Sequence, residues 1–464
     1  MGGIGQLHQQ VTIGSLPDDV LLKIFKFFTD DGLNEWLTLI HVCRRWRNVT
    51  FAFPRHLNLQ LFCNPLRKSV KEMVDIWPEL PIHISDVDLP SKECVDYIAA
   101  ALRLNHRVAG IYFDNTEEPE WEILAPLMQR TFPALERLWV QPHAGRIKNA
   151  LSSSFLGGSA PCLRDLTLIR VPFPALPELL LSATNLVNIT YAIVPRSGYI
   201  SPQAMVTGLS ALTRLESLSL TFRSPGDLPD RAIPIPPPDT RTLLPSLTDL
   251  RFYSSSGYIE DFVAQIDAPL LDSVRITLFN QEVLEVSELA NFLRRADKLS
   301  LSHQAEVILQ ADSISITLSP KLLLGKLDPK TFMLNFTCHE SALRLSYLAQ
   351  FCASFLHTLS PFEFLHIHNS MYHTWEDVID DPDPQWLELL HPFTTVKDLL
   401  LSGTVAPYVA QALRGLPVEQ VTEVLPALEN VFISRSEPYG PVWEAISEFA
   451  DARQLSDHPV SIHV

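Results

Sequence analysis

Apolar residues along the chain follow two different periods. Near the N-terminus Val20, Ile24, Phe25 and Phe28 recur at helical spacing and predict one amphipathic helix. Ser15 stands where it can cap that helix, with Asp18 three residues on completing a capping-box-like pair. Pro17 falls in the first turn, where a missing N–H costs nothing, and Asp18 and Asp19 suit the positive helix end. Asp30-Asp31-Gly32 interrupts the pattern, and Asn34 can cap a second helix with Leu39, Val42, Cys43 and Trp46 on one stripe. Arg44, Arg45 and Arg47 suit the negative end of that helix. Two helices this short expose more apolar surface than they hide. They either cap the rest of the chain or dock elsewhere, because amphipathicity does not name what a face packs against.

The second period is short and repeated. An apolar anchor is followed three and five residues later by apolar positions, as in Val108, Ile111, Phe113 and in Leu135, Leu138, Val140. The unit returns at Leu163, Leu166, Leu168; Leu186, Ile189, Tyr191; Leu215, Leu218, Leu220; Leu247, Leu250, Phe252; and Leu271, Val274, Ile276. Successive anchors lie 23 to 32 residues apart, which is the strand signature and length of a leucine-rich repeat. Each unit supplies one strand whose alternate residues pack inward while their polar neighbours face out. Prolines such as Pro133, Pro161, Pro245 and Pro269 stand just before the strand, where no ladder donor is lost. Leu176 to Ala183 and Ser287 to Arg295 have helical spacing and read as returns between strands.

Past Leu299 and Leu301 the pattern blurs, with strand-like runs at Ser313–Leu318 and Phe332–Phe336. It revives as Phe362, Leu365, Ile367; Val396, Leu399, Leu401; and Leu428, Val431, Ile433, now 34 and 32 residues apart. These read as degenerate repeats with longer helical returns. A helical stretch from Val442 to Leu455 is expected to cap the last apolar layer.

Composition narrows the partners. The chain has 464 residues, 46% of them hydrophobic and 19% charged, and a net charge of −17. It is long enough for more than one compact unit or an elongated repeat. Its Lys and Arg are scattered, which argues against a general nucleic-acid binder. Cys43, Cys63, Cys94, Cys162, Cys338 and Cys352 lie far apart without a C-x-x-C pair. Reduced thiols in the cytoplasm or nucleus fit better than a disulfide framework or zinc module. The N-terminus lacks the basic start and apolar core of a signal peptide, and no run is long enough to span a membrane.

Candidate chemistry is sparse. The run Ile233 to Asp239, within a proline-rich loop at 224–239, favours polyproline II and reads as a loop projecting between repeats. Acidic residues between Thr374 and Gln385 are interrupted by two prolines and do not form a calcium loop. Cys338-His339 are sequence neighbours, a spacing that rarely makes a nucleophile–base pair. His366 and His368 alternate on an expected strand and share a face; two imidazoles there can bind zinc, yet the sequence offers no evident further ligand. Gly157-Gly158 opens neither a P-loop nor a dinucleotide fingerprint. No catalytic, cofactor or metal residues are therefore assigned, and an enzyme is not expected.

The exact residues at the N-terminus add a resemblance. Leu16-Pro17-Asp18-Asp19-Val20-Leu21-Leu22-Lys23-Ile24-Phe25, followed by Val42-Cys43-Arg44-Arg45-Trp46-Arg47, resembles the F-box. Further runs, among them Ile76-Trp77-Pro78-Glu79-Leu80-Pro81, Ile266-Asp267-Ala268-Pro269-Leu270-Leu271 and Trp386-Leu387-Glu388-Leu389-Leu390-His391-Pro392-Phe393, resemble a large fungal family of F-box proteins with leucine-rich-like tails. The resemblance implies a non-catalytic substrate receptor of an SCF-type ubiquitin ligase. The F-box would dock on a Skp-type adaptor, and through it a cullin, while the repeats hold a protein client. It assigns Leu16, Pro17, Val20, Ile24, Phe25, Val42, Cys43 and Trp46 to adaptor contact or to holding the hairpin together. Outward strand positions such as Glu136, Arg137, Arg164, Asp165, Glu216, Thr248, Asp249 and Arg251 become candidate client contacts.

The expected fold class is α/β: an all-α F-box helical hairpin followed by an irregular leucine-rich-repeat-like α/β solenoid. The expected division is a flexible 1–12, an F-box at 13–60, a helical linker or cap region at 61–105 and the solenoid at 106–464, with its C-terminal cap at 442–455. The alternative is a leucine-rich-repeat interaction or scaffold protein outside ubiquitin transfer.

Overall fold

A computed structural model describes residues 13, 16–29, 36–54, 57, 61–63, 80–85, 92–114, 116–142, 149–224, 226, 228–229, 240–279, 286–296, 299, 303–310, 312–320, 331–337, 341–356, 362–369, 385–434 and 440–463. The Ser15 and Asn34 caps, the Asp30–Gly32 break, the 1–12 segment, Leu301, Cys338-His339, most of the acidic loop and residues 230–239 of the proline-rich loop lie outside these. The chain divides into two compact units, Met1–Ile147 with Ser152–Leu163, and Lys148–Leu151 with Arg164–Val464.

The first unit opens with three helices, α1 (Asp18–Thr29), α2 (Trp36–Val42) and α3 (Arg44–Ala52). It continues into strands β1 (Leu61–Cys63), β2 (Ile82–Ser85), β3 (Val108–Phe113) and β4 (Arg137–Val140), paired in that order and all parallel. The 61–105 stretch therefore supplies two strands as well as the helix Lys92–Leu102, and the parallel sheet starts before residue 106. On the face away from the core His83, Gly110 and Arg137 stand side by side. Gly110 is needed there, because a Cβ would collide with the His83 imidazole. Burial, then the Arg137 charge, pulls the His83 pKa down to about 4. Its ring is thus neutral at pH 7.

The second unit carries β5 (Asp165–Ile169), β6 (Asn188–Val194), β7 (Ser217–Phe222), β9 (Asp249–Ser254) and β11 (Ser273–Leu278), paired in succession and parallel. A two-residue parallel pair, β8 (Thr242–Leu243) with β10 (Ile266–Asp267), sits apart from that sheet. The register stacks Leu166, Ile189, Leu218, Leu250 and Val274 in one apolar row. Across both units none of the repeat residues is more than 7% exposed. Most anchors close a tight turn onto the carbonyl three residues back (Leu135 to Phe132, Leu215 to Leu212, Leu247 to Leu244, Leu271 to Ala268). The next N–H then reaches the neighbouring repeat, as Glu216 does to Val187 and Thr248 to Glu216. The pattern L-x-x-L-x-L is thus a turn closure followed by two inward ladder positions.

Two returns carry local serine caps, Ser201 and Ser255, but one is capped from its neighbour. The helix Ser287–Arg294 has no capping side chain at Val286. Buried Glu260, from the preceding helix Ser256–Val263, accepts from the Glu288 and Leu289 N–H groups at 2.8 Å each. Burial pushes the Glu260 carboxyl above its ordinary range, against those hydrogen bonds.

The blurred region is not a simple continuation. Strands β12 (Gln304–Leu309), β13 (Ser313–Ser319) and β14 (Phe332–Thr337) enter the sheet in reverse order, giving β11-β14-β13-β12-β15, with β15 at Phe364–Asn369. β13 runs antiparallel to both neighbours, so the expected run of degenerate parallel repeats is interrupted. The two-residue link after Gln310, closed by Gln310 N–H on Ser313 O, is too short for a crossover helix and forces an antiparallel return. Parallel stacking resumes through β15, β16 (Asp398–Leu401), β17 (Asn430–Ile433) and β18 (Ser461–His463). The expected C-terminal helix is present as Pro441–Leu455, but β18 follows it and pairs with β17.

Candidate docking surface

α1 begins directly after Pro17, with Asp18 and Asp19 in its first turn. The Arg45 guanidinium clamps this start: Nη2 donates to Asp18 Oδ1 at 2.7 Å and to the Leu16 carbonyl at 2.6 Å. The expected second helix is two. The chain breaks at Cys43, which is extended and whose Sγ accepts from Trp46 N–H at 3.5 Å, capping α3. Arg44, Arg45 and Arg47 thus lie in the first turn of α3, at its positive end, and not at a helix C-terminus. Asp18 compensates Arg45, while Arg47 Nε donates to the Ile40 carbonyl at 3.0 Å and satisfies an open acceptor near the end of α2.

The three helices hold a small core of their own. Leu21, Phe25, Leu39, Ile40 and Val49 are buried, and the Phe25 and Trp46 rings meet at 4.8 Å between centroids. Each such side chain stabilises by about 1.5–3 kcal/mol when fully buried. The buried face of α1 therefore runs through Leu21, Leu22 and Phe25, turned by about one residue from the expected Val20, Ile24, Phe25 and Phe28; nothing is described of the Phe28 side chain. Phe25 and Trp46 hold the module together.

Part of what remains outside is apolar. Val20 and Ile24 are half-buried and Phe27, on the same stripe, is 78% exposed. Leu16 is half-buried, Pro17 and Cys43 are exposed, and Val42 is 56% exposed. Four of the eleven exposed large apolar side chains among the described residues (Ile13, Phe27, Val42 and Phe53) belong to this short segment. Phe53 also lines an open groove of about 560 Å³ along α3, with Asp18, Arg45, Asn48 and Val49. Periodicity could have found Phe27, which follows Val20 and Ile24 at positions i+7 and i+3.

Residues 13–56 match the F-box-like family. Domains of this kind generally bind Skp-type adaptors, and the exposed stripe lies wholly within the matched segment. No curated protein matches the chain. Among solved structures, the leucine-rich repeat-containing protein LegL7 from Legionella pneumophila aligns with 85% of this chain and 97% of its own, at 14% identity. Its TM-score of 0.25 is too low to carry fold or function across. The leucine-rich-repeat-like character rests on the strand register and turn closures.

The outward strand positions are less free than alternation suggests. Asp249 accepts from Ser217 Oγ at 3.1 Å and Ser273 Oγ at 2.8 Å and pairs with Arg251 Nε at 2.9 Å. Asp165 accepts from Asn188 Nδ2 at 2.6 Å, and Asp398 from Asn430 at 2.8 Å. These carboxylates stitch neighbouring repeats together. In the first unit the outward positions Tyr112 and Trp139 stack at 5.2 Å.

Proposed function

We propose that this chain is the non-catalytic substrate receptor of an SCF-type cullin–RING ubiquitin ligase, one of the fungal F-box proteins it resembles, working in the cytoplasm or nucleus. The observation that carries the reading is the exposed apolar stripe on a helical module with its own core, within residues that match the F-box-like family. A module that is already packed internally does not need the repeats to shelter it, which favours docking over capping. Leu16, Pro17, Val20, Ile24 and Val42 then face the adaptor with Phe27, Cys43 caps α3, and Phe25 and Trp46 keep the face in shape. The adaptor links the chain to a cullin. The parallel repeats hold a protein client, and the receptor contributes effective concentration and orientation rather than bond chemistry.

Co-purification of the full chain with a purified Skp-type adaptor tests this, beside the Leu16→Ala/Pro17→Ala variant. The wild-type chain retains the adaptor and brings a cullin with it, and the variant binds at least about tenfold more weakly with unchanged helicity. Equal capture by both chains, or by neither, turns the reading to a leucine-rich-repeat scaffold outside ubiquitin transfer.

A further inference from the structure

The imidazoles of β15 do not stand alone. His366 and His368, two residues apart on one strand, face the same way, and their rings stack with centroids 4.2 Å apart. Parallel pairing of β12 with β15 sets Glu306 directly beside His366. Glu306 Oε1 lies 2.9 Å from His368 Nε2 and 3.6 Å from His366 Nδ1. The three atoms all lie within 4.8 Å of one another. The sequence hides this carboxylate, because it comes 62 residues before His368 and only the reversed order of β12 to β14 brings it there.

We propose that Glu306, His366 and His368 form a divalent-metal site of the zinc class. A tetrahedral ion with bonds of about 2.0–2.2 Å needs ligand atoms about 3.4 Å apart, within reach of small side-chain rotations from the present spacing. The far nitrogen of each ring already has an oxygen partner. His366 Nε2 is 2.8 Å from Ser402 Oγ, and His368 Nδ1 is 3.3 Å from the Asn369 carbonyl. When those outer nitrogens carry the protons, two imidazole lone pairs and a carboxylate converge on one point, an arrangement that a cation stabilises and an empty space does not. Such outward hydrogen bonds fix the tautomer and ring angle of metal-binding histidines.

Two further features fit an ion with an open position. The three side chains are 11–23% exposed, which leaves access for a water as fourth ligand. Thr317, opposite Glu306 on β13, has a buried hydroxyl oxygen with no hydrogen-bond partner among the described residues. A bound water or the second Glu306 oxygen can supply one. The ion would fasten β12 to β15, the pairing at which parallel stacking resumes.

The test uses the full chain, stripped with a chelator, dialysed and then equilibrated with zinc alone or with cobalt(II) alone. The proposal expects one zinc retained per chain, a rise in melting temperature with zinc, and a cobalt spectrum of nitrogen and oxygen ligation without a thiolate charge-transfer band. The His366→Ala/His368→Ala variant and the near-isosteric Glu306→Gln variant lose retained zinc and the melting shift. Ser402→Ala binds about 10–100-fold more weakly. Failure of the wild-type chain to retain zinc overturns the site. So does a thiolate band, or zinc retention by Glu306→Gln equal to wild type in a chain with an unaltered circular dichroism spectrum.

Discussion

Arg453→Met lowers the stability of the second unit by about 3–5 kcal/mol, the cost of leaving several buried backbone carbonyls without a donor. Arg453 lies on the helix Pro441–Leu455, is 1% exposed and has no carboxylate partner among its hydrogen bonds. Its Nη1 donates to the carbonyls of Val421, Val424 and Leu425 at 3.2–3.4 Å, and its Nη2 to those of Pro426 and Leu428. Nε reaches the His458 carbonyl at 3.3 Å. These acceptors belong mostly to the irregular stretch leading into the Leu428 anchor, where Leu425 takes a positive φ of 52°. Backbone carbonyls buried without partners cost about 1–3 kcal/mol each, and one planar fork reaches six carbonyls, of which Leu425 O also accepts from Leu428 N–H. Burial lowers the Arg453 pKa, and the carbonyl dipoles are what keep its charge tolerable. Urea unfolding measures the loss. Arg453→Lys recovers only part of it, because an ammonium cannot span the same fan. A loss of unfolding free energy below about 1 kcal/mol would show that water replaces the guanidinium without strain.

Phe27→Glu with Val42→Glu abolishes adaptor binding in titration calorimetry while leaving the chain folded. Both side chains are more than half exposed, so their replacement costs the free chain no more than about 0.5 kcal/mol each. If the stripe is the docking face, the same change places two charges in a desolvated interface and removes an aromatic anchor. Residues at the centre of such an interface are worth about 2 kcal/mol or more, so the pair weakens binding by well over about 100-fold. Phe25→Ala gives the contrasting outcome. It empties the packing against Trp46 and costs about 3–5 kcal/mol, so binding is lost together with helicity. Unimpaired binding by the double glutamate variant places the contact on another face.

The repeats were legible because their physics is local. Leu135, Leu138 and Val140 are a turn closure and two inward positions within six residues, and a parallel strand buries the same rows each time. What escaped was decided by distant partners. Alternating Ser and Ile in Ser313–Ser319 announces a strand but not its direction, which the short link after Gln310 fixes. Glu306 has no relation in sequence to His366. Arg453 reads as the polar side of an amphipathic helix until the carbonyls around it are seen. In the docking module the stripe Leu39, Val42, Cys43, Trp46 keeps its helical period across a real break. The cap is a cysteine sulfur rather than one of the usual hydroxyl or carboxylate caps. Periodicity sets the face of α1 about one residue off because Leu21 and Leu22 compete with Val20 and Ile24, and only packing against α2 and α3 chooses between them.

Amide hydrogen exchange of the full chain, with and without a purified Skp-type adaptor, shows whether the N-terminal helices are a docking module. A docking module shows slowed exchange in Asp18–Thr29, Trp36–Val42 and Arg44–Ala52 on binding, with the repeat strands unchanged. Slowed exchange confined to the repeats, or none anywhere at saturating adaptor, contradicts it.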